Sequence, residues 1–281
     1  KPISLISILG IILTTLLKAG SSVEIIEKIS EFICSNTTCK ASLFLSEYLS
    51  GLPLLVFALI LSVSTVILLY LSIKNDVKDT FFYPILILPL FYTASFSLFY
   101  PLIPARFLTR VILTSIYAFG LYSLFLTQNI FAVSTIRTIT LLRSARIVSF
   151  IITIITLFLL TNVIFSLRLP MYLSSTIILA LTFSLNFQSL WVYNLNKEFI
   201  PEGLFLSAFI ALSLAELSLI LTMWPINASI YSIFLTGIFY AYSGLIHAWI
   251  EKRLFRGLLW EYIWVGFLST LILFVFSKWG I

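Results

Sequence analysis

The chain has little charge, little histidine and little cysteine. Asp, Glu, Lys and Arg make up 10% of its 281 residues, with one histidine and two cysteines. It has no His-Glu-x-x-His, paired-Asp or Gly-x-Ser-x-Gly pattern, and no aspartate lies in an apolar block. These absences disfavour intramembrane metalloproteases, prenyl transferases and serine hydrolases. We predict no catalytic residue, no metal site and no cofactor.

Apolar residues, in contrast, make up 60% of the chain and recur in blocks separated by short polar breaks. A helix needs roughly 20 apolar residues to cross a hydrocarbon core of about 30 Å. The pattern predicts an all-α, polytopic membrane protein of about nine transmembrane helices with a small extracytoplasmic helical cap. The predicted spans are Ile3–Leu17, Leu52–Ile73, Phe82–Leu102, Phe107–Thr127, Val148–Leu167, Met171–Tyr193, Gly203–Trp224, Ala228–His247 and Glu261–Phe276.

The polar breaks suggest three regions. Residues 1–20 form a first transmembrane helix or signal-anchor, since the block is short and a cleavable signal peptide is the alternative. Residues 21–51 form an extracytoplasmic amphipathic segment, with helical patterns over Val23–Phe32 and Ala41–Leu49. Residues 52–281 form an eight-helix bundle. One longer connector, Gln128–Ile147, is predicted to be a basic amphipathic linker along the headgroups.

Cys34 and Cys39 both lie in the extracytoplasmic segment. They are either two unpaired thiols or a local disulfide, and a disulfide needs an oxidising compartment. A zinc site is disfavoured because His247, the chain's histidine, lies far away in the sequence.

The distribution of charge predicts an orientation. With the amino terminus in the cytoplasm and the carboxyl terminus outside, most of the 17 Lys and Arg residues lie on the cytoplasmic side. The same threading places both cysteines outside. The net charge of +6 then indicates loops facing anionic lipid of a cell membrane, and no nucleic acid is expected as a partner. The expected partners are membrane lipid and other membrane proteins, and the sequence names no small-molecule substrate.

Glu216 is the most informative polar residue. A charged side chain at the centre of a membrane helix costs roughly 2.5–3.5 kcal/mol on insertion scales. Small residues at spacings of three and four mark a packing seam on the same helix, and we expect Glu216, beside that seam, to face protein. It is either an ionisable functional site or a protonated group bonded to a neighbouring helix.

Other polar residues form two candidate groups. Within the membrane, a stripe on Met171–Tyr193 predicts either hydrogen bonding between helices or the wall of a cavity; the candidates are Asn186, Ser189, the adjacent Gln188, and Asn162 on the preceding span. At the cytoplasmic face, the candidates are His247, Glu251, Glu261 and Arg253, which form either an acid–base pair or a solvated ion-pair cluster.

Three functions follow. The first is a scaffold or subunit of the membrane without catalytic activity. The second is a carrier of a small or lipidic solute, with Glu216 in a cavity that also reaches Asn186. The third is an enzyme acting on a lipid-linked substrate at the cytoplasmic face, using His247 and Glu261.

Overall fold

A computed structural model describes the backbone of residues 39–73, 83–103, 107–134, 141–193 and 201–277. Side chains are described in these ranges from residue 54 onward, except at 73, 83, 201 and 202. All regular structure in the described ranges is helical. The predicted all-α fold is therefore confirmed.

Eight α-helices follow one another along the described chain. They are α1 Cys39–Ile73, α2 Ile87–Phe99, α3 Phe107–Ser134, α4 Leu142–Ser166, α5 Met171–Tyr193, α6 Pro201–Thr222, α7 Ala228–Ile250 and α8 Arg256–Phe276. Short 3-10 segments, Tyr83–Leu86 and Tyr100–Leu102, flank α2. Each contains a proline, which lacks the N–H that a regular α-helix needs.

The described part of the chain holds eight helices that are long and apolar enough to cross a membrane. The chain is thus a polytopic helical membrane protein, with one span fewer in this part than the sequence predicts for the whole. The remaining block, Ile3–Leu17, lies outside the described residues, as do Val23–Phe32 and Cys34; the side chain of Cys39 is not described either. The first span, the cap and the disulfide stay predictions, as does the orientation.

One predicted connector is wrong. The proposed linker Gln128–Ile147 is largely helix: α3 continues to Ser134 and α4 begins at Leu142. Gln128, Phe131 and Ala132 are buried, so the end of α3 packs inside the protein. Helix α1 runs unbroken from Cys39, so its backbone has no break at Gly51, where the sequence suggests a division between two regions. At about 1.5 Å per residue, a helix of this length is longer than a bilayer core is thick.

Helix α4 lies at the centre of the bundle. It packs against α2, α3, α5 and α7, and 61% of its apolar stretch of 18 residues is buried. Helix α8 lies at the periphery, where it packs mainly on α7 and only 11% of the corresponding stretch is buried. Helix α4 therefore contacts most of its neighbours in the interior of the bundle, whereas α8 contacts few.

Candidate functional site

One end of the bundle is joined by Arg146 of α4. Its Nη1 lies 3.4 Å from Oε1 of Glu251, at the end of α7, and its Nη2 donates to the backbone carbonyl of Tyr193 at 3.3 Å. The guanidinium carbon also lies 4.9 Å from the centre of the Tyr193 ring. Tyr193 ends α5, and the last carbonyls of a helix have no partner within it and carry partial negative charge. Arg146 thus ties the ends of α5 and α7 to the start of α4.

His247 lies immediately inside this layer. Its Nε2 and the hydroxyl oxygen of Ser189 share a hydrogen bond of 3.0 Å. Its ring stacks on Tyr193, with ring centres 4.1 Å apart, and meets the edge of Phe150 at 5.0 Å. Both His247 and Ser189 are buried. We call Arg146, Phe150, Ser189, Tyr193, His247 and Glu251 the His247 cluster.

The predicted acidic partners of His247 do not lie against it. Glu251 pairs with Arg146 and, at 3.9 Å, with Arg253. Glu261 is exposed, and no ion pair within 4 Å is found for it among the described residues. The structure therefore separates the predicted cytoplasmic-face group into a buried histidine–serine pair and a partly exposed ion-pair triad. The alternative of one solvated ion-pair cluster is wrong for His247 because the ring is enclosed by aromatic side chains.

A second polar contact lies deeper in the bundle. Ser243 of α7 donates to Oδ1 of Asn186, which is fully buried on α5, at 3.0 Å. The amide nitrogen of Asn186 and both amide atoms of Gln188 and Gln128 are buried without a hydrogen-bond partner among the described residues. Burying such atoms unpaired is unfavourable, since each loses its hydrogen bonds to water without a replacement.

Side chains of the polar stripe on α5 form hydrogen bonds with neighbouring helices. Ser175 donates to the carbonyl oxygen of Ala215 on α6 at 2.8 Å, while Asn186 and Ser189 reach α7. All three are buried, and their bonds between helices agree with the hydrogen-bonding alternative. Asn162 is buried near the far end of α4, so it does not join Asn186 at the same depth.

The small-residue seam of α6 is present, but Glu216 does not face it. Ser207, Ala211, Ala215 and Ser218 are buried, and the Ser218 hydroxyl lies 2.7 Å from that of Tyr231 on α7. Glu216 is exposed. Successive residues on a helix are turned by about 100°, so the neighbour of a buried residue can point away from the bundle. Among the described residues, none covers Glu216, so the prediction that it faces protein is wrong for the part of the chain that the structure describes.

The exposed surface around Glu216 is apolar. Phe205, Phe209, Leu212 and Ile220 lie on the same side of α6 and are between 52% and 74% exposed. Phe205 and Phe209 are four residues apart, and Leu212 follows three residues later. Glu216 and Ile220 come four and eight residues after Leu212, so all five residues lie on one face of the helix. We call these four residues and Glu216 the α6 outer face.

Among the described residues, no group of three or more His, Cys, Asp and Glu side chains is arranged to hold a metal ion. A family model described as "Protein of unknown function (DUF5656)" matches residues 41–276. The chain belongs to the DUF5656 family. The match reaches from the start of α1 to the end of α8, so in this DUF5656 protein the family region includes all eight described spans. No curated protein and no solved structure matches the chain.

Sequence reasoning missed the central residue of this DUF5656 protein's His247 cluster. Arg146 was expected in a linker, whereas it lies on α4 and contacts two other helices. A signal was present, because an arginine in the first turns of an apolar helix can reach back to the interface with its long side chain. The partners of His247 gave no such signal, since Ser189 and Phe150 lie on two other helices and come close only through packing.

Proposed function

We propose that this membrane protein is a non-catalytic subunit whose α6 outer face packs against a transmembrane helix of another protein. The observation that carries the proposal is an exposed carboxylate inside a membrane span. Glu216 lies six residues before Thr222, the last residue of α6. At 1.5 Å per residue, this is about 9 Å from the helix end, within the depth of the hydrocarbon.

A carboxylate facing lipid at that depth is costly. Acidic residues within membrane helices almost always face protein or a water-filled cavity. Within residues 39–277, apart from the gaps that the structure leaves undescribed, Glu216 faces neither the seam with α5 nor the contact with α7. A second protein surface over α6 would supply the missing environment.

The residues around Glu216 favour a packed helix as that surface. Phe205, Phe209, Leu212 and Ile220 offer large side chains into which a facing helix can interdigitate. Dispersion contacts and polar pairs between helices drive association in lipid, where the hydrophobic effect contributes little. An apolar face with one embedded acid therefore has both components of a helix–helix contact.

Charge complementarity indicates the chemistry of the partner. The partner helix should carry a Lys or Arg at the depth of Glu216, because a basic side chain both donates hydrogen bonds and neutralises the carboxylate. A second copy of this chain is less suitable, since a symmetric contact through this face brings two acidic residues together.

The carrier and enzyme alternatives have less support. A carrier with Glu216 as its gate requires a cavity that reaches Glu216 and Asn186 together, whereas Asn186 is fully buried against Ser243 and Glu216 is on the outside. An enzyme at the His247 cluster requires substrate access, whereas His247 and Ser189 are 5% and 7% exposed.

The test is cross-linking in native membranes with a photoreactive amino acid at Leu212, which neighbours Glu216 on the exposed face. The matched control carries the same amino acid at Ile151, which is about equally exposed on α4. We expect a product specific to Leu212 whose partner peptide is a transmembrane segment with a basic residue. Glu216→Lys should abolish the product, and changing that basic residue to Glu should restore it.

Three results would overturn the proposal. They are a cross-link to a second copy of this chain, equal products from both positions, and a product that survives Glu216→Lys. A partner segment without a basic residue contradicts the proposed chemistry as well.

A further inference from the structure

The peripheral helix α8 has one side that the described chain leaves uncovered. Its buried residues, Ser269 and Leu273, lie on the side that packs on α7. The opposite side, over the first half of the helix, carries four large apolar side chains that are between 54% and 60% exposed: Trp260, Ile263, Trp264 and Phe267. Their spacings of three and four residues keep them on one face. We call these four residues and Arg256 the α8 outer face.

Basic residues lie where this face begins. Arg256 is the first residue of α8 and is four residues before the first tryptophan, so it lies on the same face. Lys252 and Arg253 precede it in the turn after α7, and all three side chains are exposed. Glu251 lies 3.9 Å from Arg253, whereas no carboxylate of the described residues lies within 4 Å of Lys252 or Arg256. This end of the face therefore carries positive charge that the described chain does not neutralise.

One acidic residue lies nearby on the same helix. Glu261 is exposed and directly follows Trp260. Successive residues on a helix are turned by about 100°, so Glu261 lies beside the α8 outer face and not on it. Arg256 and the apolar side chains thus form one face without an acidic residue.

The cation and the apolar side chains follow one another with depth. At 1.5 Å per residue, Trp260 lies about 6 Å and Phe267 about 16 Å along the helix from Arg256, and half of a hydrocarbon core measures about 15 Å. A phospholipid presents its phosphate, its ester groups and its acyl chains in the same order over a similar depth. Tryptophan suits the middle level, because its ring is apolar and its N–H donates a hydrogen bond.

We propose that the α8 outer face binds an anionic phospholipid of the leaflet in which α8 begins. Arg256 contacts the phosphate, as arginine readily does. The indole N–H of Trp260 donates to an ester carbonyl oxygen, and one acyl chain lies along Trp264 and Phe267. The site is a surface open to the bilayer, so the lipid needs no internal cavity.

The charge of the turn supplies the selectivity. Phosphatidylcholine carries a cationic group beside its phosphate, and Lys252, Arg253 and Arg256 repel that group. Phosphatidylglycerol has the same phosphate without the cation. One basic residue near an anionic membrane surface contributes about fivefold to binding, so we expect at least that preference for phosphatidylglycerol.

The test is quenching of tryptophan fluorescence by brominated lipid. The full chain is reconstituted in phosphatidylcholine vesicles that contain a small, equal fraction of either brominated phosphatidylglycerol or brominated phosphatidylcholine. Trp260 and Trp264 are two of six tryptophans, so their signal is taken as the difference between the chain and its double variant with Trp260→Phe and Trp264→Phe. Brominated phosphatidylglycerol should need about a fifth of the mole fraction of brominated phosphatidylcholine for equal quenching of this signal.

Three variants separate a site from a general effect of charge. Arg256→Gln should remove most of the preference, whereas Arg256→Lys should retain most of it because the positive charge remains. The matched control is Arg143→Gln, which removes an exposed arginine near the start of α4. The contact between Arg146 and Glu251 places the start of α4 at the same end of the bundle as the turn after α7. Arg143→Gln should keep the preference, although it changes the net charge of the chain as much as Arg256→Gln does.

The proposal is overturned if the two brominated lipids quench the difference signal equally, or if Arg256→Gln behaves like Arg143→Gln. Absence of quenching by either lipid overturns it too, because lipid would then not reach Trp260 and Trp264. The α6 outer face takes no part in this experiment, so the outcome is independent of the partner proposed for α6.

Discussion

The contact between α7 and α8 depends on a glycine at a close approach. A Cβ atom added at Gly237 would lie 2.8 Å from Cβ of Ser269 and would overlap the Ser269 hydroxyl oxygen. Ser269 is buried, and its Cβ can move only together with the α8 backbone. We therefore expect Gly237→Ala to push α8 away from α7. Because α8 packs mainly on α7, the other helices can hold it in place only weakly.

The expected loss is the difference between two effects. Adding a methyl group to a closely packed contact costs about 1–3 kcal/mol. Replacing glycine with alanine within a helix also stabilises the helix by roughly 0.5–1 kcal/mol. We expect Gly237→Ala to lower the free energy of unfolding by about 1–2 kcal/mol. We expect a smaller loss for Gly244→Ala, since a Cβ atom there would meet the ring of Tyr262, which can rotate away.

The control is Gly266→Ala on the same contact. A Cβ atom there would lie 3.9 Å from Cβ of Ala241, an ordinary contact distance, so this variant should be as stable as the wild type or slightly more stable. The assay is unfolding of the purified chain in mixed micelles, followed by tryptophan fluorescence. Ser269→Gly, placed in the Gly237→Ala background, should recover at least half of the loss because it removes the clashing atoms. The reasoning fails if Gly237→Ala and Gly266→Ala unfold alike, or if Ser269→Gly brings no recovery.

Two further predictions concern the ends of α5 and α7. Ser189→Ala should lower the free energy of unfolding by about 1–3 kcal/mol, because the buried Nε2 of His247 loses its partner. The control is Ser184→Ala on the exposed side of α5, which should change the free energy of unfolding by less than about 0.5 kcal/mol. Lys252, two residues after the end of α7, has a φ of 54° and lies in a Schellman turn. In this turn the N–H of Lys252 donates to Trp249 O and the N–H of Arg253 donates to Ala248 O, both at 3.0 Å. Lys252→Gly should raise the free energy of unfolding by up to about 1 kcal/mol, since glycine adopts this conformation without strain. The melting temperature should rise accordingly. Equal melting of wild type and Lys252→Gly, or equal losses in the two serine variants, would contradict these expectations.

The sequence by itself determined the class of fold and most of the spans. Apolar blocks of sufficient length must be helical in lipid, because every backbone N–H and C=O needs a partner that lipid cannot provide. The small-residue seam of α6 was also readable, since close approach of two helices requires small side chains at a helical spacing. Ser207, Ala211 and Ala215 are buried as that spacing predicts.

Tertiary structure alone decided which side of each helix faces protein. In water, the polar face of a helix marks its exposed side, but lipid and protein interior are both apolar, so a membrane helix carries little such contrast. This is why Glu216 was expected inside and lies outside, and why Arg146 was assigned to a linker although it joins three helices. Hydropathy along a chain reports depth in the membrane, whereas the direction a side chain faces depends on which helices become neighbours.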